Sequence, residues 1–163
     1  MRLGLLLLIL FLPGPALSAP PRATRIVVEK SERELHVYVG EAIVATYPVA
    51  LGLDPVGHKQ REGDRRTPEG RYVLDYKNPN SAFYRSIHVS YPNQADVRRA
   101  RRQGVPPGGD IMIHGQPNDP ALRQRVWAYF SRDWTDGCIA LSDADMKALW
   151  EMVRVPTPIE INP

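Results

Sequence analysis

The sequence has one cysteine, Cys138. An internal disulfide is therefore excluded, and with it the stapled scaffolds common among small secreted proteins. Neither a Cys-x-x-Cys nor a His-x-His pattern occurs, so nothing announces a zinc site, and no metal or other cofactor is expected. The longest apolar run, Leu3 to Leu12 with Gly4 inside it, falls short of the about 20 residues that hold a stable membrane span. There is no internal repeat and no low-complexity tract. The 21 Lys and Arg against 18 Asp and Glu leave a net charge of only +3. That is too little, and too dispersed, for a nucleic-acid surface, though its sign suits an anionic polymer.

What is present is an ordinary globular balance, 43% hydrophobic and 24% charged, in a chain of 163 residues. Such a length fits one domain and can bury a real core. The 16 prolines point away from a helical bundle and toward a loop-rich, β-leaning fold. At the start, Arg2, the apolar run and the small residues after Pro13-Gly14-Pro15 have the three-part layout of a secretory signal peptide. Cutting after Ser18 puts Ala16 and Ser18 in the small-residue slots; cutting after Ala19 is the other option, with Pro20 then at the new N-terminus. The expected organisation is a signal peptide at 1–18, a linker at 19–24 and one domain over 25–162.

Arg25 to Lys30 is a β-branched strand pattern. Glu34 to Val39 alternates with period two, with Leu35, Val37 and Val39 on one face, and Ala42 to Ala50 is a third strand, so an antiparallel meander is expected. Residues 52–66 are polar and glycine-bearing, hence a long loop. Strands follow at Arg71 to Tyr76, Ile87 to Tyr91 and Asp110 to Gly115. Asn93 caps a helix that Gly104 stops, its arginines on a solvated face. A short helix is expected around Leu122 to Tyr129. Ser142 caps a last helix with Met146, Leu149, Trp150 and Val153 at core spacing, and Ile159 to Ile161 is a closing strand. The fold class is α+β, mainly β: a mixed sheet or sandwich with a few peripheral helices.

Two positions carry chemistry. Cys138 follows Gly137 between a polar turn and an apolar strand, where a thiol is reachable and a glycine lets backbone amides face a developing oxyanion. His114 closes a strand and is followed by Gly115, which permits a tight corner. A cysteine nucleophile needs a nearby imidazole near neutral pH, and these two residues are the candidate pair. Trp134 and Tyr91 are candidates for shaping a groove or for packing in the core. His36 and His88 sit in strands and read as structural; His58 reads as a surface histidine of the long loop.

Four segments in this order carry a resemblance over nearly the whole chain after the leader: "RIVVEKSERELHVYVGEAIVATYPVALG", "RRTPEGRYVL", "IMIHG" and "DWTDGCIAL". The chain resembles the L,D-transpeptidase catalytic domain family, also called the YkuD family, in its DWTDGCIA variety. The resemblance implies a YkuD-like mixed sheet and an enzyme of the periplasm or cell envelope acting on peptidoglycan stem peptides. Cys138 would be the nucleophile of a thioester acyl-enzyme and His114 its proton acceptor and donor. Asp136, Gly137 and Cys138 would supply oxyanion amides, with Thr135, Trp134, Tyr91, Arg66 and Arg132 as substrate contacts. Two departures stand out. Thr135-Asp136 replaces the family's usual Ser-His before Gly-Cys, and Ala140 stands where most members have an arginine two residues after the cysteine. The alternatives are a hydrolase, either an L,D-carboxypeptidase or an amidase releasing a wall-attached protein, and a non-catalytic wall-binding module.

Overall fold

A computed structural model of the chain describes residues 19–127 and 133–163. The expected leader and Arg132 lie outside them. Among the described residues eight strands are present: β1 Arg25–Glu29, β2 Glu34–Val39, β3 Ala42–Pro48, β4 Gly70–Asn78, β5 Ser86–Val89, β6 Met112–His114, β7 Ile139–Ala140 and β8 Thr157–Asn162. Three helices accompany them: α1 Gln94–Gln103, α2 Pro120–Trp127 and α3 Asp143–Met152. The strands form one mixed sheet in the order β3-β2-β1-β8-β4-β5-β6-β7. This is the mainly β, α+β architecture that the sequence pattern calls for.

The opening meander forms as expected, β1 with β2 and β2 with β3, both antiparallel. Its register places Ile26 opposite Val37 and Val28 opposite Leu35, and all four are fully buried. A register shift after Val37 turns Val39 only partly inward. The last strand enters the middle of the sheet, parallel to β1 and antiparallel to β4. Its Ile159 and Ile161 extend the same core, where each fully buried side chain of this kind contributes about 1.5–3 kcal/mol.

β3 stops at Pro48, short of the expected Ala50, because proline offers no N–H to continue the ladder. Pairing resumes two residues on, with a different partner. The Ala50 N–H donates to the Ala140 carbonyl at 2.9 Å, and the Ala140 N–H donates back to Ala50 at 2.8 Å. Gly52 then bridges to Thr135. The segment just past one edge strand, β3, thus pairs with the opposite edge strand, β7, and curls the sheet closed there.

Helix starts follow their caps. The Asn93 side chain accepts the N–H groups of Ala95 and Asp96, Asp96 accepts the Asn93 N–H in return, and Gly104 with φ 68° ends α1. Ser142 caps α3 by accepting the Asp145 N–H at 3.0 Å. Met146, Leu149 and Met152 of α3 pack into the main core with Val153, and Trp150 packs against it from a partly buried position.

Candidate active site

β6 and β7 run parallel, with Ile113 opposite Ile139 and His114 opposite Ala140. Ile113 and Ile139 are fully buried in the core. Alternation along a strand sends Met112 and His114 to the other face. Cys138 immediately precedes β7, and its Sγ accepts the Met112 N–H at 3.4 Å. The thiol and the imidazole line one cavity of about 440 Å³. Phe83, Leu122, Val126 and Trp134 give it an apolar wall, and the exposed Asp110 and Asp136 contribute its carboxylates.

His114 is only 5% exposed. Its Nδ1 lies 2.7 Å from the Gly115 carbonyl. A carbonyl only accepts, so Nδ1 carries the proton and Nε2 keeps its lone pair for the cavity. The rings of Phe83 and Trp134 lie 4.7 and 5.7 Å from the imidazole, centroid to centroid. Burial pushes the imidazole pKa down to about 4, and the Gly115 carbonyl pulls only weakly the other way. At neutral pH this histidine is an uncharged base.

The Cys138 thiol is also held neutral. Burial pushes its pKa up and the Met112 N–H draws it down; of the charges around it, Asp136 and Asp110 push it up and Lys59 draws it down. The S–H points to the Asp110 carbonyl at 3.6 Å. Asp110 has φ 53°, a left-handed backbone that costs a non-glycine residue about 1–2 kcal/mol. Among the described residues, three of the four non-glycine residues with such a backbone, Arg65, Tyr84 and Asp110, border this site or its supports. The arrangement is a neutral thiol and a neutral imidazole facing one cavity, suited to proton transfer during attack rather than to a resting ion pair.

The turn carrying Cys138 is closed by Thr135, whose hydroxyl donates to the Cys138 carbonyl at 2.7 Å and accepts the Gly137 N–H at 3.1 Å. The Gly137 amide is thereby engaged, which removes it from the three amides expected to face an oxyanion. The N–H groups of Asp136 and Cys138 have no partner among the described residues. Gly137 has φ 130°, and the Arg66 carbonyl lies 2.7 Å from where a Cβ would stand. Conformation and space both demand glycine there.

The structure brings together His114, Cys138, Trp134, Thr135 and Asp136 around the cavity. It does not bring Tyr91, Arg66 or Gly115 into the lining. Tyr91 is 3% exposed, its hydroxyl donating to the Pro107 carbonyl and its ring packed on Tyr72 and His58. Arg66 pairs with Asp54 at 3.0 Å and is not among the lining residues. Arg132 lies outside the described residues. Gly115 has no left-handed backbone; it is needed because Asp143 Oδ1 and the Tyr84 Cβ approach within 2.7 and 2.9 Å of a would-be Cβ. His58 is half-buried, its Nδ1 accepting the Glu69 N–H and its Nε2 donating to Asp96.

Sequence reasoning missed Phe83, Met112 and Asp110, whose only signal was their closeness to the His-Gly corner or to a strand end. It also missed Asp143, which accepts the Gln116 N–H at 2.7 Å and pairs with Arg123. Outside the cavity lining, Glu32, Glu34 and His36 bring ligand atoms within 4.8 Å of one another.

Against known proteins, the profile of the YkuD L,D-transpeptidase catalytic domain matches residues 23–161. The chain belongs to this family. A relative from Escherichia coli K12, YafK, which carries an L,D-transpeptidase name, is 35% identical over 96 residues, covering 55% of this chain and 37% of its own. Among solved structures, the helical cell shape determining protein Pgp2 from Campylobacter jejuni is 27% identical with a TM-score of 0.64, over 86% of this chain and 48% of that one. Bd1075 from Bdellovibrio bacteriovorus is 28% identical with a TM-score of 0.55, over 88% of this chain and 48% of that one. This family member thus spans only about half or less of the length of these relatives. An L,D-transpeptidase from Xylanimonas cellulosilytica, at 15% identity and a TM-score of 0.55, shares the fold. Among the described residues, no helix is long and apolar enough to cross a membrane.

Proposed function

We propose that this chain is an exported cysteine enzyme of the cell envelope that transfers peptidoglycan stem peptides through a thioester on Cys138. The observation that carries this reading is the placement of Cys138 and His114 on the same side of the β6–β7 ladder, facing one cavity. The thiol rotates away from the Asp110 carbonyl and attacks the peptide carbonyl at the L-centre of a diamino-acid residue. His114 Nε2 takes the thiol proton as the C–S bond forms. The Cys138 N–H meets the oxyanion. As the C–N bond breaks, His114 returns that proton to the leaving amine. The incoming amine or water then gives its proton to Nε2 and displaces the thiolate. Residues 1–18 are the leader that exports the enzyme, and 25–162 are its catalytic domain.

A second outcome, hydrolysis of a wall-peptide or wall-protein link, is favoured by one observation. Ala140, 2% exposed, stands where most of the family carries arginine, and the described cavity residues include two carboxylates and no Lys or Arg. No Lys or Arg among those residues can form an ion pair with the free carboxylate of a terminal D-alanine. An amide link to a wall-attached protein, which lacks that carboxylate, meets no such deficit.

The test is incubation of the purified chain with wall muropeptides, with and without an amine acceptor, and product identification by mass. New cross-links establish transfer; shortened peptides alone establish hydrolysis. Cys138→Ala is expected to abolish both, and a fully active Cys138→Ala protein would refute the nucleophile.

A further inference from the structure

The loop between Leu51 and Gly70 is organised around a buried ion pair that lies outside the cavity lining. Lys59 Nζ donates to Asp64 Oδ1 at 2.8 Å, and both side chains are more than nine-tenths buried. Asp64 also accepts three backbone N–H groups, from Gln60 at 2.7 Å, Arg61 at 3.0 Å and Arg66 at 3.1 Å. Those bonds fix the chain on both sides of Arg65, which is left-handed at φ 57°.

The fixed segment abuts the Cys138 turn. The Arg65 carbonyl accepts the Asp54 N–H at 3.1 Å and occupies the space that a Cβ on residue 52 would need. The next carbonyl, that of Arg66, presses on Gly137. Thr67 Oγ1 accepts the Gly52 N–H at 3.0 Å. From the other side, the Leu51 carbonyl accepts the N–H groups of Trp134 and Thr135, and the Leu53 N–H donates to the Thr135 carbonyl. The 134–138 turn is therefore gripped between an edge segment, 51–53, and the 65–67 segment that Asp64 shapes.

We infer that Asp64, neutralised by Lys59, is a positioning residue for the proposed acyl transfer: it seats the Arg65–Arg66 peptides against Gly137 and so holds the Cys138 N–H in place for the oxyanion. The role rests on the reading of Cys138 as nucleophile, but its structural half is measurable without any turnover. A positioned amide must be held before the reaction, because its value lies in needing no reorganisation.

The experiment compares the purified chain with Asp64→Ala and Asp64→Asn by hydrogen exchange and by two thiol probes read as intact mass. In Asp64→Ala, exchange at residues 134–138 is expected to rise about tenfold or more, with α3 and β8 unchanged. Acylation of Cys138 by a carbapenem, which needs the oxyanion amide, is expected to fall about tenfold or more, whereas alkylation by iodoacetamide, which does not, stays within about twofold. Asp64→Asn keeps an acceptor oxygen of the same shape and is expected to fall between. Unchanged exchange at 134–138 overturns the inference, and so does a rise that spreads equally through α3 and β8. A wild-type chain that the carbapenem fails to acylate counts against the nucleophile reading and leaves the exchange result to decide on Asp64.

Discussion

The two cavity residues with shifted protonation, His114 and Cys138, both resist charge, and for the same leading reason: each is withdrawn from water. For His114 the folded pKa of about 4 lies below the usual 6.5. The unfolded chain therefore binds more protons in that window. The stability this histidine supplies is present in full above pH ~6.5 and is lost as pH falls toward ~4, at most about 3 kcal/mol. Urea midpoints measured across that range are expected to fall with acid, and less steeply in His114→Asn. His58, also lowered by burial and by Arg99, acts in the same direction, so the difference between the two proteins isolates His114. The thiol gives the complementary experiment. Because its pKa is raised by burial, the midpoint of iodoacetamide alkylation against pH is expected above the ~8.5 of a free cysteine. A midpoint below that value would indicate a preformed thiolate.

Among the elements, α1 shows how local signals combine with distant ones. Asn93 as its cap and Gly104 as its stop are readable from residue type. The role of Asp96 is not, because it depends on groups brought in from elsewhere. This carboxylate, 4% exposed, accepts from Arg99 within α1, from the Tyr72 hydroxyl on β4, from His58 in the long loop and from the Asn93 N–H. Asp96→Ala is expected to cost about 3–5 kcal/mol, seen as a lower urea midpoint, since it strands a guanidinium and a buried phenol at once. The long loop makes the same point. Its polar, glycine-bearing composition marks it as a loop, yet the need for Gly52 and Gly137 arises from carbonyls of Arg65 and Arg66 that touch them only after folding. Likewise nothing in its residue type sets Phe83 apart, and only the fold shows it at the cavity wall beside His114.

At the scale of the molecule, the meander, the helices and the meeting of Cys138 and His114 at one cavity were legible because they rest on period, caps and a family motif. The strand order was not. β8 lies beside β1 although the two are separated by nearly the whole chain, and an apolar run carries no label for its neighbour. The closure between Ala50 and Ala140 is of the same kind. Ala50→Pro would delete one of its two hydrogen bonds and set a proline ring in the ladder. It is expected to lower stability by about 2 kcal/mol or more and to speed hydrogen exchange through 134–140.

That closure also decides how the protein meets its own copies. With β7 covered by residues 50–52, the outer edge of β3, Ala42–Pro48, is the long strand edge left bare among the described residues. It carries the exposed Ile43 and Val44 and no charge. Bare, apolar, β-branched edges are where chains zip together into aggregates. In a concentrated preparation, self-association should begin there and not at the Cys138 turn. Val44→Lys is expected to reduce light scattering on heating while leaving carbapenem acylation of Cys138 as it was.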